Sequence, residues 1–252
     1  MREEVTDLCL FCHYSELNKI PNYVIYYLEQ LSEITDKIIV LTNERDGDIA
    51  NLSVLKDMGI EYRFYKNEGY DFGMYYKFMM NEDFDCKRLW LVNDSMVTFN
   101  SLSNIGEWVN KQNKEYLGIS DSIQKSYHLQ SYFLVLNRRV QELLKRYMEM
   151  KGIVKSFNEV VDVYEIGFST FLMDKDVRFA VYKGYDKVYM DSLKINGPVY
   201  YPESYIKSGV SMIKKKVLFN TFTKSEKVTL MHTSYDFKED YMSMVKKYMS
   251  KL

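Results

Sequence analysis

Prolines, cysteines and long apolar runs are scarce in this sequence. Its three prolines and the lack of any low-complexity tract argue against a disordered linker. Its three cysteines are an odd number and follow no leading signal sequence, so we expect a reducing compartment and a cytoplasmic protein. No apolar stretch approaches the roughly 20 residues of a membrane-spanning helix.

Two of the cysteines, Cys9 and Cys12, form a C-x-x-C pattern inside an apparent strand. Residues three apart on a strand face opposite sides, which argues against a shared metal or a redox pair. We therefore predict that both are core thiols.

The charges are nearly balanced overall but unevenly distributed. The net charge is −1, yet from Glu203 onward ten lysines face five acidic residues. A basic C-terminal segment suits phosphate groups or an anionic membrane surface, so peripheral contact with the cytoplasmic membrane is one expectation. Nucleic acid is not expected as a partner, because no compact Arg/Lys motif or nucleic-acid module is present.

Aromatic residues are frequent, with 23 tyrosines and 14 phenylalanines. A tyrosine excess suits stacking on sugars or bases, although genome composition explains it equally well.

Strand-like and helix-like apolar patterns alternate along the chain. This order predicts an α/β fold with a mostly parallel central sheet flanked by helices. The predicted strands are Leu8–His13, Lys37–Thr42, Ile60–Tyr65, Arg88–Val92, Tyr116–Ser120, Gln130–Leu136 and Val228–Met231. The predicted helices are Pro21–Ile34, Ile49–Met58, Tyr70–Met80, Arg138–Met150, Glu165–Met173 and Asp236–Leu252.

Polar side chains follow four of the predicted strands, at His13 to Glu16, Asn43, Asn67 and Asn93 to Ser95. Parallel sheets bind ligands beyond the carboxyl ends of their strands, so these residues predict a site on one rim. Local turns are the alternative, because Asn, Asp and Ser side chains bond their own backbone.

A carboxylate at the end of a buried strand, such as Asp94, can hold Mg²⁺ or Mn²⁺. Such a cation would neutralise the diphosphate of a nucleotide sugar, with Asn93 or Ser95 acting through water. His232 is a second candidate metal ligand, and a core histidine is the alternative. The lysine run at 214–216 either binds the diphosphate as point charges or forms a solvated face.

Three further motifs offer candidates. Gly69 and Gly73 flank Tyr70-Asp71-Phe72 and would let the backbone approach a ligand, while Asp71 either caps a helix or binds a ribose or base. His128 and Gln130 precede an apolar strand and are either ligand-binding or structural. Glu165 lies where a helix is predicted to begin and is a candidate general base, with Asp162 and Glu159 as rivals. The alternative is that its carboxylate only interacts favourably with the helix dipole.

These motifs resemble the rhamnan synthesis protein F family of bacterial glycosyltransferases. The matching stretches span Leu8 to about Leu218 and occur in the family's order: "HYSE", "NEGYDFGMYYKF", "LVNDSM", "GISDS", "YHLQSYFLVL", "YEIGFSTFL" and "SGVSMIKKKVL". The resemblance implies a single Rossmann-like domain of the glycosyltransferase A type over residues 1–252. Residues 1–100 would bind the nucleotide sugar, 101–200 the acceptor, and 201–252 would form a basic, helical end.

The resemblance also implies a reaction and roles. It implies inverting transfer of L-rhamnose or another deoxysugar from a dTDP-, UDP- or GDP-linked donor to a glycan or lipid-linked glycan of a cell-surface polysaccharide or lipopolysaccharide. Asp94 falls where type A enzymes keep their metal-binding acidic motif, although this sequence has one acid in place of the usual two. Glu165 falls where inverting relatives often have the catalytic base. The residues expected to contact the donor are Tyr14, Glu16, Asn43, Asn67, Tyr70, Asp71, Asn93, Ser95, His128, Gln130, Lys215 and Lys216.

Two other functions fit the sequence less well. A non-catalytic carbohydrate- or nucleotide-binding module would keep the sheet without turnover, and the single carboxylate at Asp94 favours it slightly. A nucleotidyltransferase that forms sugar nucleotides would need a glycine-rich phosphate loop near the N-terminus, and Leu8–Leu17 contains no glycine.

Overall fold

The computed structural model describes residues 5–184 and 196–219. Within these ranges, seven strands form the central sheet: β1 (Asp7–His13), β2 (Lys37–Asn43), β3 (Glu61–Tyr65), β4 (Arg88–Asn93), β6 (Tyr116–Gly118), β9 (Phe133–Asn137) and β10 (Phe179–Val181). Two small antiparallel pairs flank it. Strand β5 (Met96–Thr98) pairs with β11 (Met212–Lys214), and β7 (Asp121–Ser122) pairs with β8 (His128–Leu129).

The sheet has the order β10-β6-β9-β4-β1-β2-β3. All of its pairings are parallel except the two made by β9, which runs antiparallel to β4 and β6. The predicted α/β class with a mostly parallel sheet is therefore confirmed. The reversed direction of β9 was not predicted, because an apolar strand pattern carries no information about direction.

Helices cover both faces of the sheet. They are α1 (Asn22–Ser32), α2 (Leu52–Asp57), α3 (Tyr70–Asn81), α4 (Ser103–Asn110), α5 (Arg138–Lys151), α6 (Phe157–Glu159) and α7 (Phe168–Met173), with a π-helix at Val160–Gly167 between the last two. One buried cluster contains Phe72, Tyr75 and Leu144 on one face, and another contains Tyr27, Trp90 and Ile105 on the opposite face. Strand β1 is buried along its whole length, as expected for a strand covered on both sides.

Three short helices lie near strand β11, two before it and one after it. These are α8 (Gly197–Tyr200), α9 (Pro202–Lys207) and α10 (Lys215–Leu218). The predicted strand Val228–Met231, the predicted helix Asp236–Leu252 and His232 lie outside the described residues. In the part of the chain that the structure describes, no helix combines the length and apolarity needed to cross a membrane.

Several boundaries differ from the prediction. The strand predicted at Gln130–Leu136 begins only at Phe133, after a turn. The helix predicted to begin at Glu165 begins at Phe157, so the prediction that Glu165 lies in a first turn is wrong. Cys9 and Cys12 are free and buried, which confirms that they are core thiols.

Candidate functional site at the carboxyl end of strand β4

A tight turn links β4 to β5 at Asn93-Asp94-Ser95. The amide of Ser95 donates to Asn93 Oδ1 at 3.1 Å, which is the local bond expected of an Asn turn. The amide of Asp94 donates to the carbonyl of Cys12 at 3.1 Å, which joins the turn to β1. The turn therefore uses the Asn93 side chain and leaves the Asp94 carboxylate for other contacts.

The Asp94 carboxylate is buried between a histidine and a lysine. Its Oδ2 lies 2.9 Å from Nδ1 of His13 and 2.8 Å from Nζ of Lys215. Although burial pushes the pKa of Asp94 up, the bond from His13 and the charge of Lys215 hold it below its ordinary value. Asp94 is thus an anion whose partners come from distant parts of the chain.

Lys214 approaches the same turn from strand β11. In the β5–β11 pair Lys214 lies opposite Met96, and its Nζ is 3.3 Å from Oγ of Ser95. The ammonium also sits over the ring of Tyr132, 4.3 Å from the centroid, within cation–π distance. Lys214 forms no ion pair with any described carboxylate. It is therefore a positive charge that the protein leaves without a directly bonded counter-ion in the described structure.

Two carboxylates, Glu165 and Asp71, nevertheless favour the charged form of Lys214. Burial lowers the pKa of Lys214 to about 8, while the charges of Glu165 and Asp71 act in the opposite direction. The lysine run at 214–216 includes Lys214, but only Lys215 and Lys216 were predicted to contact the donor. Strand alternation was the available signal, because it puts Lys214 on the same face as the buried Met212.

Asp71 reaches the site from the start of α3. Its Oδ2 accepts a hydrogen bond of 2.7 Å from the side-chain amide of Asn93, and its Oδ1 accepts one of 3.0 Å from the backbone N–H of Phe72. Burial raises the pKa of Asp71 to about 6, and the charge of Glu165 adds to this effect. The N-cap residue of α3 is Gly69, so Asp71 lies inside the helix and does not occupy the cap position.

The glycines around Asp71 serve packing within the protein. A Cβ on Gly73 would lie 1.7 Å from the carbonyl oxygen of Glu68, and one on Gly69 would lie 2.6 Å from the side chain of Ile153. Their close packing is a sufficient reason for glycine at both positions, and the approach of a ligand to this backbone stays a prediction. The glycines allow α3 to begin tightly against its neighbours.

Glu165 lies in the π-helical segment Val160–Gly167. The carbonyl of Val163 accepts a bond of 2.8 Å from the Tyr147 hydroxyl, and a Cβ on Gly167 would lie 2.7 Å from that hydroxyl. The π-turn therefore accommodates Tyr147, and such turns often occur at functional sites. Glu165 Oε1 accepts a bond of 2.8 Å from the amide of Ser131, which fixes the carboxylate beside the turn before β9.

The two rivals of Glu165 lie at the surface. Asp162 is more than half exposed and forms an ion pair with Lys125. Glu159 accepts bonds from Ser156 in a capping box that begins the helix. Neither residue is among the groups that act on Lys214 or Asp71.

The remaining predicted donor-binding residues lie in different surroundings. Tyr14, Glu16, Asn67 and Tyr70 are exposed. Asn43 is buried and clamps the loop after β1 through the backbone N–H and carbonyl of Ser15, at 3.1 and 3.0 Å. His128 bonds the carbonyl of Ser126, and Gln130 accepts a bond from Ser120, so both buried side chains have protein partners. Lys216 is half-buried and acts on Lys214 as a like charge.

The groups around Asp94 fit a divalent cation poorly. A Mg²⁺ or Mn²⁺ site needs several oxygen ligands, and an ammonium such as that of Lys215 cannot serve as one. Among the described residues, no cluster of three or more His, Cys, Asp or Glu side chains could hold a metal ion. The assignment of Asp94 and His232 as metal ligands stays a prediction.

Comparison with known families shows the family to which the chain belongs. The sequence model of the family described as rhamnan synthesis protein F matches residues 29–251. The chain belongs to the rhamnan synthesis protein F family. This membership confirms the resemblance seen in the sequence and supports a glycosyltransferase activity. No curated protein matches the chain.

Solved structures similar to this member of the rhamnan synthesis protein F family are distant in sequence. A glycosyltransferase involved in glycosylation of the major capsid of PBCV-1 is 10% identical, with 90% of this chain and 98% of that chain covered and a TM-score of 0.42. The glycosyltransferase GlyE of Streptococcus pneumoniae is 8% identical, with 98% and 64% covered and a TM-score of 0.45. The 4-diphosphocytidyl-2C-methyl-D-erythritol synthase of Anaerococcus prevotii is 11% identical, with 81% and 96% covered and a TM-score of 0.46.

Proposed function

We propose that the protein is an inverting glycosyltransferase. It moves a deoxysugar, most simply L-rhamnose, from a nucleotide-sugar donor to a hydroxyl of a growing cell-surface polysaccharide or lipopolysaccharide. The donor is linked to dTDP, UDP or GDP, and the acceptor is a glycan or a lipid-linked glycan. Membership in the rhamnan synthesis protein F family supports the sugar-transfer chemistry.

One observation carries the proposal. At the carboxyl end of β4, the ammonium groups of Lys214 and Lys215 approach the Asn93-Asp94-Ser95 turn, and the carboxylates of Asp71 and Glu165 act on Lys214. Positive groups beside a carboxylate base suit a reaction in which a diphosphate leaves and a hydroxyl loses its proton. The carboxyl end of a mostly parallel sheet is also where such folds bind ligands.

In the proposed reaction, Glu165 is the base and a nucleoside diphosphate is the leaving group. Glu165 takes the proton of the acceptor hydroxyl as the oxygen attacks the anomeric carbon of the donor. The bond between that carbon and the diphosphate oxygen breaks, and its electron pair stays on the departing nucleoside diphosphate. Attack from the side opposite the leaving group inverts the anomeric configuration. Asp71, which is held by Asn93, is suited to bind a sugar or ribose hydroxyl beside this centre.

Other sequence expectations stay predictions. These are the single domain over residues 1–252, the division into donor and acceptor parts, and peripheral contact of the basic C-terminal segment with the membrane. A divalent cation as cofactor stays among them.

A transfer assay tests the proposed function. The purified chain is incubated with dTDP-, UDP- and GDP-linked sugars and a rhamnose-containing oligosaccharide, and products are measured by mass spectrometry. We expect the acceptor to gain the mass of one sugar residue with one donor of the panel. Donor binding with neither transfer nor hydrolysis would instead identify a non-catalytic binding module.

A further inference from the structure

We propose that Lys214 and Lys215 supply the positive charge that binds the donor's diphosphate, and that they do so in place of a divalent cation. Asp94 is then a positioning residue that holds Lys215, and it does not ligate a metal. The inference rests on the proposed function, because it concerns the leaving group of that same reaction.

The charge of the Asp94 carboxylate is already balanced by an ammonium. Its Oδ2 lies 2.9 Å from His13 Nδ1 and 2.8 Å from Lys215 Nζ. A metal at Asp94 would lie beside an ammonium at hydrogen-bond distance from the same oxygen, and the two positive charges would repel each other strongly in this buried setting. The lysine thus stands where the cation of a metal site would stand.

The backbone fixes both lysines at the turn. The amide of Lys215 donates to the carbonyl of Ser95 at 2.8 Å, directly after the β5–β11 pairing ends at Lys214 and Met96. Both ammonium groups are therefore presented by a hydrogen-bonded strand and its first following residue. Preorganised charges of this kind need little rearrangement when a charged group binds.

Both ammonium groups keep donors for phosphate oxygens. An ammonium has three N–H donors. Lys214 gives one to Ser95, and its contact with the face of Tyr132 uses none, so two donors remain among its described contacts. Lys215 gives one to Asp94 and one to the Tyr23 hydroxyl, so one donor remains among its described contacts.

Lys214 is half-buried and has no bonded counter-ion among the described residues. Removing a charge from water without a partner is unfavourable unless some group compensates for it. Within the described residues, Ser95 and the Tyr132 ring provide only neutral partners. A bound diphosphate would provide the anion.

Isothermal titration calorimetry of the full chain with dTDP, UDP and GDP tests the inference, each with EDTA and separately with Mn²⁺. We expect at least one nucleoside diphosphate to bind with the same affinity in both conditions. Lys214→Met and Lys215→Met should each weaken this binding about tenfold or more, as expected for the loss of a charge-assisted bond. Asp94→Asn should weaken it to a similar extent with EDTA and with Mn²⁺.

Lys37→Met is the matched control. Lys37 forms a lysine–carboxylate pair with Glu61 at 2.5 Å, at the opposite end of the parallel strands. Its substitution removes the same charge and the same kind of ion pair, and nucleotide affinity should be unchanged. Circular dichroism melting identifies any variant that fails to fold. If Lys215→Met fails to fold, Lys214→Met alone tests the inference, because Lys214 has no described ion pair to break.

The outcomes separate the inference from the function on which it rests. Binding that requires Mn²⁺ and is lost in EDTA overturns the inference and leaves the glycosyltransferase proposal standing. Wild-type affinity in Lys214→Met and Lys215→Met also overturns it. A chain that binds no nucleoside diphosphate in either condition overturns both proposals.

Discussion

The side-chain amide of Asn93 donates a hydrogen bond of 2.7 Å to Oδ2 of Asp71. This bond joins the end of β4 to the first turn of α3, two elements that contribute charged groups to the site. Asn93 Oδ1 simultaneously accepts from the backbone N–H of Ser95, so one side chain shapes the turn and orients a half-buried carboxylate. Its removal should therefore affect both stability and donor binding.

Asn93→Ala should lower the free energy of unfolding by about 1–3 kcal/mol, because it leaves the half-buried Asp71 oxygen without its donor and Ser95 without its acceptor. Urea denaturation measures the change. Asn81→Ala is the control, since Asn81 is exposed and its amide bonds only a helix carbonyl, and we expect a change within about 0.5 kcal/mol. Equal effects of the two substitutions would show that the Asn93–Asp71 bond contributes nothing.

The raised pKa of Asp71 predicts a pH dependence of stability. Its ordinary pKa is 3.8, and the folded protein raises it to about 6, so between these values the native state binds more protons than the unfolded state. The Asp71 contribution to stability is therefore highest below this window and falls as pH rises through it. Asp71→Asn should gain stability relative to the parent protein when pH rises from about 4 to about 7. Urea unfolding at both pH values tests this, and a difference that stays constant would contradict the shift.

The assignment of Glu165 as the base predicts unequal effects of two similar substitutions. Glu165→Gln keeps the size of the side chain and its bond to Ser131 but removes the basic group, so the transfer rate should fall about 10²- to 10⁴-fold. Asp162→Asn changes an exposed carboxylate paired with Lys125 and should transfer at nearly the parent rate. Steady-state kinetics at saturating donor gives the comparison. A larger loss in Asp162→Asn would move the base to that residue.

Two glycine substitutions should separate crowding from backbone strain. Gly73→Ala puts a methyl group 1.7 Å from the carbonyl oxygen of Glu68, and because a backbone atom must move, we expect a loss of about 3 kcal/mol. Gly59→Ala meets nothing within 4 Å but has a φ of +71°, so we expect a loss of about 1–2 kcal/mol from strain alone. The midpoints of urea unfolding, compared at an unchanged m-value, rank the stability losses of the two variants. The reverse ranking would contradict the packing role of Gly73.

The parallel core was predictable because its strands are continuous apolar runs. Strands β1, β2 and β4 are buried on both faces, and sequence pattern alone placed each of them within about one residue. The direction of β9 was not predictable, since a run such as Phe133–Asn137 fits a parallel or an antiparallel neighbour equally well. Its direction is set by contacts with β4 and β6.

The site was predictable in its location but only partly in its members. The rule for parallel sheets directed attention to Asn93, Asp94 and Ser95, and the Asp71 segment lies against them. Lys214 was not singled out within the lysine run, because its position beside Ser95 depends on the pairing of β11 with β5, more than a hundred residues apart in the chain. The helix start predicted at Glu165 was wrong because the helix begins at Phe157, after the capping box of Ser156 and Glu159.

The most direct test of the central claim is a crystal structure of the protein with a bound nucleoside diphosphate. The claim is that charged groups at the end of β4 hold the leaving group of a sugar-transfer reaction. We predict that the diphosphate lies within hydrogen-bond distance of the Lys214 and Lys215 ammonium groups, beside Ser95, with Glu165 facing the position of the transferred sugar. A diphosphate bound away from the Asn93-Asp94-Ser95 turn would contradict the account.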